Sequence, residues 1–144
     1  MKYYHPIIFL VFVHIVLLFL DAYYIPHLDS LMHLIGGVFL GLYVRGLLSL
    51  AVSKEWCPDP GKVITLVLII SSVATGAVCW EFYEWVSDAV FGTYLQPTVT
   101  DTVKDLFMGM MGATLYAMYV AATYPAYYLD DAPSNINVVE QTDP

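Results

Sequence analysis

The stretch from Val63 to Val86, VITLVLIISSVATGAVCWEFYEWV, is apolar and free of proline throughout, and its only charges are Glu81 and Glu84 near its end. Crossing the hydrocarbon of a bilayer takes about 20 such residues, so the segment reads as a membrane span with acids at one mouth. Working outward, comparable proline-free stretches run from roughly Ile7 to Ile25, Leu31 to Val52 and Val103 to Tyr124. Helix breakers fall between them: Pro26 follows the first, Pro58, Pro60 and Gly61 separate the second and third, Pro97 precedes the fourth and Pro125 closes it. The expectation is an all-α integral membrane bundle of four transmembrane helices over residues 1–128, followed by an acidic, disordered tail over 129–144.

The rest of the composition agrees. Of 144 residues 59% are hydrophobic and only 12% charged, too greasy for an ordinary soluble domain. The first stretch has too long an apolar run for a removed signal peptide, and no small-residue cleavage site follows it, so it is expected to remain as a span. The sequence has no basic patch, which excludes nucleic acid as a partner. It has no nucleotide motif, and His14 and His33 do not stand at the common depth that a haem needs. Cys57 and Cys79 lie in a loop and deep in a helix, roughly 25 Å apart by helical rise, so they cannot form a disulfide.

Orientation follows from the cations. Lys2, Lys54, Lys62 and Arg45, read as snorkelling to the surface, fall on the side of the termini, against Lys104 alone on the other. The positive-inside rule then puts both termini in the cytoplasm. That makes the chain a multi-pass protein of the inner (plasma) membrane.

Net charge is −8, and its distribution is uneven. Asp130, Asp131, Glu140 and Asp143 belong to the tail, and Glu55 and Asp59 to a loop, where solvation accounts for them. The other seven acids sit in or beside helices: Asp21 closes the first, Asp29 opens the second, Glu81, Glu84 and Asp88 end the third, and Asp101 and Asp105 open the fourth. His33 and Lys104 join them, all toward the non-cytoplasmic side. Asp29 and His33 are i, i+4, as are Asp101 and Asp105, while Glu81, Glu84 and Asp88 lie within about 60° of each other, so each helix has one polar face. Beneath these faces run Gly36 and Gly37, Ala74 and Ala77, and Gly109 and Gly112, small residues that let helices approach closely in lipid. The polar faces should therefore meet.

Asp29, Asp88 and Asp101 are close enough to helix ends to snorkel to water. Glu81, Glu84, His33 and Asp105 are further in, where an unpaired ionised group costs on the order of 2–3 kcal/mol. His14 stands near mid-membrane by itself, and packing or hydrogen bonding explains it best. Seven acids beside one histidine and one lysine cannot all stay charged in a medium of low dielectric, so protons or a cation must neutralise them. Carboxylates with one imidazole suit a divalent cation, Mg²⁺, Mn²⁺ or Zn²⁺. The candidate catalytic and metal-ligating set is His33, Glu81, Glu84 and Asp105, supported by Asp29, Asp101 and Lys104.

At these same residues the sequence resembles the VanZ-like family of small inner-membrane proteins and its YjdF-type relatives. The likeness rests on Asp29-Ser-Leu-Met-His33 followed by Gly36-Gly37, on Trp80-Glu81-Phe-Tyr-Glu84-Trp85, and on Asp101-Thr-Val-Lys-Asp105 with Gly109, Gly112 and Ala113 behind it. Ser30 stands where a lysine commonly follows the aspartate, and Asp105 where asparagine is usual, which draws the chain toward the YjdF-type branch. The resemblance implies a cell-envelope setting and these site residues; its namesake is associated with low-level resistance to the glycopeptide teicoplanin.

The expected function is a site near the outer face that binds a divalent cation and acts on, or recognises, a membrane lipid or lipid-linked head group. A proton- or ion-coupled transport element, assembled as a homo-oligomer because four helices enclose little volume, uses the same residues. So does a structural membrane subunit. The topology has a direct test: in a background lacking Cys57 and Cys79, a cysteine placed at Thr93 should react with an impermeant thiol reagent from outside, and one at Ser53 only from inside. The reverse pattern overturns it.

Overall fold

The computed structural model describes residues 5–20, 22–25 and 27–124, and among these every element is helical. The helices are α1, His5–Phe19; α2, Leu28–Ser53; α3, Gly61–Phe91; and α4, Val99–Thr123, with a 3-10 turn at Ala22–Tyr24. Asp21 and the expected tail lie outside the described residues. Local signals set the ends: Gly92 closes α3 in the left-handed region at φ 66°, and the Thr98 hydroxyl caps α4 by accepting the Asp101 amide at 3.1 Å.

α2, α3 and α4 are long and apolar enough to cross a membrane. α1 is shorter than the sequence suggested. Its 15 residues rise about 22 Å against the roughly 30 Å of a hydrocarbon core. The reason is the turn after it, which folds the chain back so that the Tyr23 hydroxyl meets His14 Nδ1; in a continuous helix these residues stand about 13 Å apart along the axis.

The interior is more polar than the exterior. Among the described residues, glycines aside, ten polar or charged side chains are buried against six apolar ones. Phe9, Phe12, Phe82, Phe107 and Met118 point outward. That arrangement suits a solvent of lipid, in which apolar surface needs no hiding and polar groups must find partners inside. The apolar core is small: Ile69, Tyr116 and Val120, with Val38, Leu42 and Leu66 packed against them. It lies about 18 Å along α3 from Glu81. At the same end Arg45, Ser49 and Thr65 are buried; Arg45 is 0% exposed, so it does not snorkel as its position near the helix end suggested.

α2 and α4 form the closest crossing. A Cβ on Gly37 would strike the Gly109 carbonyl, and one on Gly112 the Leu34 carbonyl. Only hydrogen fits at either position. Gly36, one residue away, would meet only Leu10 Cδ2 at 3.5 Å, ordinary contact. Gly37→Ala should therefore lower stability in detergent by about 1–3 kcal/mol, while Gly36→Ala should change it little. Equal behaviour of the two in thermal unfolding contradicts this packing.

Candidate functional site

His33 is i+4 from Asp29 and i−4 from Gly37, and Asp105 is i−4 from Gly109. The glycine crossing thus places His33 and Asp105 one turn above the closest approach of their helices, facing each other. α3 brings Glu81 and Glu84 to the same level. His33, Glu81, Glu84 and Asp105 are 8%, 5%, 3% and 2% exposed, so the convergence expected from the sequence is also a burial.

The imidazole is the hub. Its Nε2 lies 3.6 Å from Asp29 Oδ1 and 3.9 Å from Glu84 Oε1, and its Nδ1 3.8 Å from Glu81 Oε1. Two triads have ligating atoms all within 4.8 Å of one another: His33 with Glu81 and Glu84, and His33 with Asp29 and Asp105. The candidate ligand set is therefore divided, with Asp105 grouped beside Asp29 rather than beside the two glutamates. Ser30 Oγ, His33 Nε2, Glu81 Oε1 and Asp105 Oδ1 are buried without hydrogen-bond partners. Groups left so cost about 1–3 kcal/mol each, more when charged.

The remaining oxygens are held. Gln96 Nε2 donates to Glu81 Oε2 at 2.8 Å, and Trp80 Nε1 to Glu84 Oε1 at 2.8 Å. Lys104 pairs with Asp101 and stands 3.9 Å from Asp105 Oδ1. Its charge thus answers Asp101, leaving four carboxyls around one imidazole. Asp88 takes no part in this cluster. It accepts the Thr93 hydroxyl at 2.6 Å and the amides of Leu95 and Gln96 at 2.8 and 2.9 Å, tying down the loop that delivers Gln96.

His14 does hydrogen-bond, but it is not alone. Besides Tyr23 it faces the Tyr83 hydroxyl at 3.5 Å through Nε2, and it stands edge-on to Trp80 with ring centroids 4.6 Å apart. α1 therefore props Trp80, which in turn holds Glu84. Of the residues that sequence reasoning missed, Trp80 carried a signal, its i, i+4 spacing from Glu84. Gln96 carried none, because a loop's path is set by tertiary contacts. Cys57 and Cys79 are free, as their separation required.

A family model described as "Predicted membrane protein (DUF2238)" matches residues 3–125. No curated protein and no solved structure matches the chain.

Proposed function

The chain belongs to the DUF2238 family of membrane proteins, and we propose on that footing that its buried histidine and acids hold one divalent cation which presents an anionic lipid head group, or a lipid-linked one, to the site. The observation that carries this reading is the set of orphaned polar atoms, Ser30 Oγ, His33 Nε2, Glu81 Oε1 and Asp105 Oδ1, in a layer rich in carboxyls. An acidic cluster alone is common. Orphaned donors and acceptors buried within it ask for a ligand.

An imidazole gives one nitrogen to one ion, and the Nε2 edge is the better supplied. Ligands about 2.1 Å from an octahedral ion stand about 3.0 Å apart when adjacent and 4.2 Å when opposite. The 3.6 and 3.9 Å from Nε2 to Asp29 and Glu84 lie between those two separations, so a side-chain shift of about 0.6–0.9 Å brings both to the adjacent spacing. In this arrangement the triad His33, Asp29 and Asp105 holds the ion, with Glu84 drawn in from the other triad as a fourth ligand, and Glu81, fixed by Gln96, steadies the other edge of the ring. Oxygen-rich ligation favours Mg²⁺ or Mn²⁺ over Zn²⁺. Bare phosphate is repelled by four carboxylates; bridged by the ion, with Lys104 at the rim, it is attracted. The likeness of the Asp29 to Gly37, Trp80 to Trp85 and Asp101 to Ala113 segments to VanZ-like and YjdF-type proteins supports the inner (plasma) membrane as the setting.

Purified protein should gain thermal stability with Mn²⁺ or Mg²⁺, by about 2.7 kcal/mol at roughly a hundredfold excess over Kd, and a chelator should reverse the gain. Glu84→Gln should abolish most of the response and Glu55→Gln, on an exposed turn, none of it. Indifference to metals together with a more stable Glu84→Gln variant overturns the reading and assigns the acids to protons.

A further inference from the structure

A cavity of about 200 Å³ opens against the His33 side of the site, between α1 and the other three helices. Its lining changes character in the same sense on three separate elements. On α2 it runs from Asp29 and His33 to Gly36 and Leu40; on α3 from Trp80 to Val73; on α1 from His14 to Ile7. The polar members all stand at the level of the site, and the far end is hydrocarbon. By helical rise the slot is about 10–16 Å long, so its volume makes it one chain wide.

These dimensions select the occupant. A helix about 10 Å across does not fit. Water needs two to four polar partners, which only one end supplies, and apolar cavities of about 150 Å³ stay dry and take small hydrocarbons instead. What matches a narrow apolar slot with a charged head is an amphiphile lying along it. We propose that this slot seats the first methylenes of one hydrocarbon chain of a membrane lipid whose polar end stands at Asp29 and His33. The polar half of this assignment rests on the cation reading above; the chain half does not. It gives α1 a purpose beyond anchoring, because Ile7, Leu10 and Val11 form the wall that divides the bound chain from bulk lipid.

Gly36 is the place to close the slot. A Cβ there sits in ordinary contact, so a longer side chain extends into the cavity rather than into backbone. The test uses the full chain with Trp56→Phe and Trp85→Phe, leaving Trp80, a lining residue, as the sole indole. It is reconstituted in vesicles of phosphatidylethanolamine and phosphatidylglycerol whose chains are brominated near the ester end. Bromine quenches an indole only at contact. Trp80 should be quenched, and Gly36→Leu should lose that quenching while keeping its helical circular dichroism and its Mn²⁺ stabilisation. Should Gly36→Leu fail to fold, Ala77→Val narrows the same slot more gently and should reduce the quenching. Quenching that is absent, or that persists unchanged in a folded slot-filling variant, overturns the proposal. Loss of quenching in a protein that never responds to Mn²⁺ upholds the chain seat and removes the cation reading instead.

Discussion

The contact between Gly37 and the Gly109 carbonyl is what the site depends on. Helices in lipid gain little by hiding apolar surface from one another, so their approach is set by how closely backbones can fit. Gly37 and Gly112 let α2 and α4 touch, and one helical turn above Gly37 and above Gly109, whose carbonyl Gly37 meets, sit two groups with chemistry, His33 and Asp105. Any side chain at Gly37 moves the helices apart and pulls that pair open. Stability and site geometry are thus set by the same hydrogen atoms.

Burial then turns proximity into an electrostatic demand. Four carboxyls and an imidazole, nearly all removed from solvent, are stable only if something offsets their desolvation. Trp80 and Gln96 answer part of it, each by one donor to a glutamate. In this layer Ser30 Oγ, His33 Nε2, Glu81 Oε1 and Asp105 Oδ1 remain without hydrogen-bond partners. At the other end, about 18 Å along α2 from His33, Arg45 is the one cation buried among the described residues. The bundle is therefore acidic within at one end and basic within at the other.

Much of this was legible in the sequence. α2, α3 and α4 follow from hydropathy and proline placement because lipid leaves a chain few alternatives to a helix. His33, Glu81, Glu84 and Asp105 could be found by depth alone, as charges inset from helix ends. The i, i+4 glycines beneath them told which faces meet. What could not be read was set by tertiary geometry: that α1 stops at Phe19 because Tyr23 returns to His14, that Arg45 turns inward, and that Gln96 arrives from a loop. The grouping of Asp105 with Asp29 was equally hidden, since the angles between residues on a helix fix faces but not the sub-turn offsets between helices.

In the proposed function His33 Nε2 binds a metal ion among these acids. Pulsed electron paramagnetic resonance of Mn²⁺ bound to the purified full chain tests it most directly, because the spectrum registers nitrogen in the ion's coordination shell. Hyperfine coupling to a single imidazole nitrogen is expected, and it should disappear in His33→Gln. A spectrum of fully hydrated Mn²⁺, or a nitrogen coupling that survives His33→Gln, contradicts it.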